Sequence, residues 1–413
     1  ASTFAVFAAG NEYAPAASYP AAYPDYVSVA ATAPDYTPAV YTNYGTGTTI
    51  SAPGGDQDYY FEYGEGHNAA AYAIQQAAAK KEWEVLVADP CVEASPWIYS
   101  LTRKFYQFCV KQAPWLWGIT YSQTENADWS KKSYTPILRR VTWCIRELLS
   151  VYNPDVILCT YPLYAYMLDS LRGEGACAVP YGVVVTDALE ISKPWMQTKA
   201  DVVYLTDEYS LEQVMERYAI KADKLHAAGF PVRASFDNAR SDTSAPSVSD
   251  LRILYGAHAP IRRVIADITA LVHSIPGVRI TLLAGSRMSK LAFLAGKQVS
   301  VIEKTTDMAG LMKNAHLYIG KAGAATVFEA YSMCLPVIIN YALPGQEQGN
   351  MALLELDGAG VSVFSTADLM YTIHDLLKDD ANRWYAMKEA MIAKNRRGGA
   401  DNIVADLEQR FFL

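Results

Sequence analysis

Basic residues are the scarcer charge in this chain. Its 35 Lys and Arg stand against 43 Asp and Glu, a formal net charge of −8, so no global positive field draws it to nucleic acid or anionic membrane, and any membrane affinity has to be local. Long apolar runs are missing as well. The best stretch, Val156 to Leu168, is interrupted by Tyr and Pro and falls short of the roughly 18 residues that span a bilayer, which leaves a soluble or peripheral protein. The six cysteines (Cys91, Cys109, Cys144, Cys159, Cys177 and Cys334) stand singly with no CxxC and no histidine pairing, so they read as reduced core thiols and not as metal ligands. No short repeat suggests a solenoid. What the chain does have is 413 residues at 51% hydrophobic, enough for two or three domains.

The first 57 residues contain no Lys, Arg or Cys and are crowded with Ala, Tyr, Pro, Thr and Gly. Ordinary composition begins near Lys80, and a break therefore falls near residue 60. The opening at Ala1 in place of Met reads as a processed product or a piece of a longer reading frame. Within this part the stretch Val6 to Gly55, opening VFAAGNEYAP, resembles subtilisin-like serine proteases between the oxyanion-hole strand and the catalytic serine. That resemblance implies an oxyanion role for Asn11. The GTSMA, DTG and HGTH motifs that carry the family's triad are absent, so no peptidase activity is expected.

From Gly64 onward, strand-sized apolar runs alternate with helical stretches: EVLVAD (84–89), DVILCT (155–160), YGVVVTD (181–187), DVVYLT (201–206), LRILYG (251–256), RITLLAG (279–285), HLYIG (316–320) and PVIIN (336–340). Such a pattern predicts parallel sheets covered on both faces. SDTSAPSVSD (241–250) has no apolar periodicity and reads as a linker. The expected division is 1–57, a subtilase-like fragment; 58–240, a Rossmann-like acceptor domain; and 241–413, a Rossmann-like donor domain. Ligands of open parallel sheets bind outside the carboxyl ends of the strands, so the chemistry is sought in the cleft between the two.

The segment Tyr318 to Asn350 is the most informative. A strand leads to Gly320, a small-residue turn follows through Gly323 and Ala324, and a helical stretch begins. The turn offers backbone N–H groups at a helix N-terminus, suited to a diphosphate, although a tight turn without ligand would look the same. Glu329 stands one turn into that helix, where a carboxylate can accept ribose hydroxyls, and Gln346, Glu347 and Asn350 follow a Pro-Gly turn from which they can reach sugar hydroxyls. In the first half, GEGHNAAAYAI (64–74) sets His67 at the head of an alanine-rich helix, either as a cap or as a cleft residue. Ser95 to Tyr121 combines Trp97, Trp115, Leu116 and Trp117 with Arg103, Lys104 and Lys111; this is either core or an interfacial element that takes an acyl chain from a bilayer.

The KAG…EA turn and helix, followed by LPVIIN and PGQEQGN, resembles the donor-site signature of the monogalactosyldiacylglycerol synthase and processive diacylglycerol glucosyltransferase group, from about Gly64 to Phe412. GEGH and VTD (185–187) resemble that group's glycine-histidine loop and cleft aspartate. The resemblance implies an inverting GT-B enzyme with two Rossmann-like domains facing a cleft, moving glucose or galactose from a UDP-sugar to a lipid such as diacylglycerol. It implies His67 as the base, or the residue positioning it, since a neutral imidazole with an ordinary pKa near 6.5 can take the acceptor proton. Asp187 would orient His67 or bind the acceptor, with a helix N-cap as its plain alternative. Gly323 and Ala324 would hold the diphosphate, Glu329 the ribose, and Gln346 and Glu347 the sugar. Arg287, in AGSR, falls near the nucleobase or is simply a surface arginine. The group's Gly-rich loop after the first strand of the donor half is replaced here by YGAHAPI (255–261), in which Gly256 alone remains. The residues before His67, DQDYYFEY (56–63), carry acidic groups where a buried first strand is expected.

The expected protein is therefore a hexosyltransferase, peripheral on the inner face of the plasma membrane, with no cofactor beyond the UDP-sugar co-substrate and no metal, since a helix dipole and backbone donors can stabilise the leaving diphosphate. Its partners would be the UDP-sugar, the lipid and the membrane surface, with no nucleic acid. The rival reading is a catalytically impaired fusion or remnant that binds nucleotide or lipid only.

Overall fold

The structure, a computed structural model, describes residues 66–94 and 136–413 except 219, 238, 241–243, 306 and 344–346, together with three short strands near the start of the chain. These are β1 (Val6–Ala8), β2 (Val27–Thr32) and β3 (Ile50–Pro53), paired in parallel in that order. The chain divides into two compact units, residues 1–65 with 96–103, and all the rest, so a unit boundary falls between Glu65 and Gly66, close to the break in composition. Asn11, Gln346, Trp97, Trp115, Leu116 and Trp117, and the segment 56–63, lie outside the described residues.

The larger unit is built on two parallel sheets. The first runs β4 (Ile157–Cys159), β5 (Tyr181–Val184), β6 (Val202–Leu205), β7 (Leu225–Ala227), in that spatial order. The second holds β8 (Leu251–Gly256), β9 (Val278–Leu283), β10 (Val299–Ile302), β11 (Leu317–Lys321), β12 (Val337–Tyr341) and β13 (Gly360–Ser362), ordered β10-β9-β8-β11-β12-β13. Every recorded pairing in it is parallel. The unbroken apolar runs are explained by burial on both faces. In β8, Ile253 and Tyr255 point into the layer containing Val264, Ile268 and Leu369, whereas Leu254 points into the layer of Val327, Phe328 and Leu353.

Seven of the eight expected runs become strands. EVLVAD does not: residues 83–89 carry no regular structure, Val85 spending its carbonyl on the side chain of Gln75 at 3.1 Å. Among the described residues the first sheet accordingly begins at β4. Three strands went unforeseen, β7, β10 and β13, because each is only three or four residues long and half-exposed in part, which leaves no periodic signal to read.

Helix α1 (Gly66–Ala79) buries Ala70, Ala73, Ile74, Ala77 and Ala78. These small side chains let the last helix, α2 (Gly399–Phe411), pack against it, with Ile403, Val404 and Leu407 closing over Val184, Val202 and Tyr204 of the first sheet. The C-terminal helix thus returns to pack on the first sheet and on α1. Among the described residues no helix is long and apolar enough to cross a membrane. The described cysteines, Cys91, Cys144, Cys159, Cys177 and Cys334, are free thiols, and burial pushes Cys144 and Cys159 up to about 12.

Candidate active site

The order of the second sheet reverses between β8 and β11, which opens a crevice beyond their carboxyl ends. Two chain segments leave the sheet there, at Gly256 and at Lys321. After β8, a Cβ on Gly256 would come within 2.8 Å of the His258 ring and the Tyr318 hydroxyl, so glycine is required for close packing at this bend. The loop that stands in place of a Gly-rich one is held by Arg287, whose Nη1 donates to the carbonyls of Ala257, at 2.8 Å, and Ala259. Arg287 is half-buried and is a clamp on this loop at the crevice, not a loose surface arginine. His258 is neutral, pushed down to about 3 by burial and by the nearby charges of Lys321 and Arg287.

After β11, Gly323 caps helix α3 (Ala324–Met333) without a side-chain bond, leaving the first amides of the helix uncapped by protein side chains. Lys321 lies directly over this turn: a Cβ on Gly323 would be 2.9 Å from its Nζ. Sequence reasoning passed over Lys321, although it opens the KAG turn itself. Its Nζ donates to Glu347 Oε1 at 2.7 Å, and Glu347 Oε2 accepts the N–H of Leu343 at 3.0 Å. Glu347 is thereby fixed at the head of helix α4 (Gln348–Leu356), with both oxygens engaged.

Glu329 is 7% exposed. Its Oε1 accepts from Arg233 Nη2 at 3.1 Å, and burial pushes its carboxyl up to about 7 while Arg233 acts in the opposite direction. Asn350, 2% exposed, has both ends of its amide engaged. Its Oδ1 accepts the N–H of Ala188 at 3.2 Å and its Nδ2 donates to the carbonyl of Ala322 at 3.0 Å. Expected as a sugar contact, it is found tying the donor turn to the loop after β5.

That loop also meets the head of α1. His67 is the second residue of α1, and its Nδ1 lies 3.0 Å from Thr186 Oγ1; its ring sits edge-on to Tyr161 at 5.2 Å and tilted against Trp195 at 5.8 Å. This aromatic wall desolvates the imidazole, pulling it down to about 4 despite a backbone hydrogen bond to Thr160 that works upward. The ordinary pKa expected for His67 is therefore corrected downward: the ring is neutral across the physiological range, but a weak base. Asp187 accepts the indole N–H of Trp195 at 2.7 Å, and it is Thr186, absent from the sequence-based candidates, whose hydrogen bond to His67 Nδ1 is recorded. Leu189, two residues on, adopts φ 54°, a strained setting for a branched side chain at a loop end.

A continuous path therefore joins the two halves of the site, from His67 to Thr186, along the chain to Ala188, through the Asn350 amide to Ala322, and into the turn at Gly323.

Residues 67–232 match the family model for monogalactosyldiacylglycerol (MGDG) synthase, beginning at His67, and residues 280–403 match that for the glycosyltransferase family 28 C-terminal domain. Together with the two parallel sheets, whose loops the Asn350 amide joins, this defines a glycosyltransferase of the GT-B fold. Its relatives include the processive diacylglycerol beta-glucosyltransferases of Bacillus cytotoxicus and Bacillus cereus, each 26% identical over 356 residues, 83% of this chain and 90% of the relative. The solved structure of the spinosyn rhamnosyltransferase SpnG, complexed with spinosyn aglycone, superposes with a TM-score of 0.52 at 16% identity, over 84% of this chain and 98% of that one, a likeness of fold alone. Residues 1–84 match the subtilase family model, which extends past the composition break and overlaps the synthase match over residues 67–84.

Proposed function

We propose that this glycosyltransferase moves a hexose from a UDP-sugar to a lipid acceptor such as diacylglycerol, with inversion, as a peripheral enzyme on the inner face of the plasma membrane. The observation that carries the reading is the path from His67 to the Gly323 turn, which brings a neutral imidazole and a helix N-terminus to one crevice. In this reading His67 accepts the proton of the acceptor hydroxyl as its oxygen bonds to the anomeric carbon, and the bond to UDP breaks with its electron pair leaving on the diphosphate. The amides of Gly323 and Ala324, and Lys321 above them, offset that charge without a metal or other cofactor. Glu329 accepts from the ribose. We assign Glu347, with Gln346, to the sugar and Arg287 and Gly256 to the nucleobase end; Trp97, Trp115, Leu116 and Trp117, outside the described residues, are assigned to the lipid. Asp187 holds Trp195 against the imidazole.

The test is a radiolabel transfer assay with UDP-glucose and UDP-galactose against a panel of lipid acceptors. Label in a lipid product from either donor supports the reading, and none from both refutes it. A second reading, a donor-binding protein without turnover, is favoured by the absence of a strand at residues 84–89; UDP binding with no transfer would select it.

A further inference from the structure

Four contacts fasten the segment after β7 to helix α3 of the other half. Phe230 stacks on Phe328 with ring centroids 4.9 Å apart and planes 2° from parallel, Asp237 accepts from Ser332 Oγ at 2.8 Å, Val232 and Phe236 are buried in the same core as Val327 and Phe328, and between these points Arg233 donates to Glu329 at 3.1 Å. The contacted residues Phe328, Glu329 and Ser332 share one face of α3, as their spacing dictates. Arg233 is thus aimed by its neighbours, and its own fork is only partly used: Nε is buried with no hydrogen-bond partner, an uncommon state for a guanidinium. Glu329 is used on one side as well. Oε1 takes the bond from Arg233, while no protein bond to Oε2 is recorded among the described residues.

We propose that Arg233 is a positioning residue, which keeps Glu329 an ionised carboxylate with its second oxygen free for the donor's ribose, so that the donor site is completed by a side chain from the acceptor half. The proposal rests on the reading of Glu329 as the ribose acceptor. Its physical ground is that a carboxylate this buried favours the neutral form unless a cation lies beside it, and a protonated carboxyl accepts fewer hydroxyl protons than a carboxylate. Arg233 is the charge that acts on Glu329. The other ionisable groups on elements packed against α3 include His67, Tyr72, Asp237, Lys313 and Glu355, and Tyr318 of β11 feels the charges of both Glu329 and Glu347. Asp237 is engaged by Ser332 and by the N–H of Gly398 at 3.2 Å, and Glu347 by Lys321.

The experiment is UDP calorimetry on the full chain between pH 6 and 9, for wild type, Arg233→Gln, Arg233→Lys and Glu329→Gln, with circular dichroism to confirm folding. UDP's own titration is common to all four and cancels in ratios to wild type. Arg233→Gln is expected to weaken binding about tenfold near pH 7.5, with the loss shrinking toward pH 9 as Glu329 ionises again, and Arg233→Lys to recover most of it. Loss by one constant factor at every pH, or no loss, overturns the proposal while leaving the donor reading intact. If wild type fails to bind UDP, or Glu329→Gln binds as tightly as wild type, the ribose reading itself falls and the proposal with it.

Discussion

The side-chain oxygen of Asn350 accepts the backbone N–H of Ala188 at 3.2 Å, across 162 residues of sequence and between the two sheets of the larger unit. With the Nδ2 bond to Ala322, one buried amide holds both walls of the crevice. Asn350→Ala leaves a buried N–H and a buried carbonyl without partners, at a cost of about 1–3 kcal/mol each. Urea unfolding should show the loss, and the variant should transfer sugar more slowly; unchanged stability would remove the bridging role.

Close approach of the halves also depends on Gly349. A Cβ there would lie 1.9 Å from the carbonyl oxygen of Ala188, and backbone on both sides has little room to yield. Gly349→Ala should destabilise by about 1–3 kcal/mol, whereas Gly296→Ala, where nothing lies within 4 Å, should be nearly neutral. The comparison of the two melting temperatures is the check.

His67→Ala should lower kcat by roughly 10² to 10⁴ with UDP affinity within about twofold, because proton transfer acts only in the transition state. Since burial draws the imidazole down to about 4, the acid limb of kcat owed to this residue belongs near pH 4, leaving kcat flat from about pH 5.5 upward. A limb centred near 6.5 that vanishes in His67→Ala would contradict the environment described for it.

His316 is wholly buried and accepts the N–H of Arg252 on Nδ1 at 3.0 Å, and burial, with Arg252 next in weight, pushes it down to about 4. Because its folded pKa lies below the unfolded value near 6.5, its contribution to stability is complete above pH 6.5 and is lost as the pH falls through about 4. The loss amounts to up to about 3 kcal/mol. Urea midpoints at pH 7, 5.5 and 4.5 should fall in wild type and fall less steeply in His316→Gln.

Asp357 anchors a buried network in which Arg396 Nε donates at 2.7 Å, Lys394 at 3.2 Å and Tyr331 at 2.8 Å. Asp357→Ala strands the guanidinium of Arg396, whose side chain is 4% exposed, and should cost about 3–5 kcal/mol. A loss below 1 kcal/mol in chemical unfolding would show the network to be dispensable.

Local pattern alone determined the class of fold. Apolar runs long enough to show themselves, such as LRILYG and PVIIN, became β8 and β12, and the KAG turn became a helix start at a strand end, because backbone sterics and two-sided burial act within a few residues of each position. The candidate histidine was legible for the same reason, as the head of an alanine-rich helix. Tertiary structure alone decided which groups meet. Thr186 reaches His67 across 119 residues, Arg233 reaches Glu329 across 96, and Arg287 clamps a loop about 30 residues away. It also decided that EVLVAD forms no strand and that the last helix returns to the first sheet. Such contacts depend on how helices and sheets pack, and a neutral imidazole near 4 or a carboxyl near 7 is set by the neighbours that packing brings, not by the residue's own place in the chain.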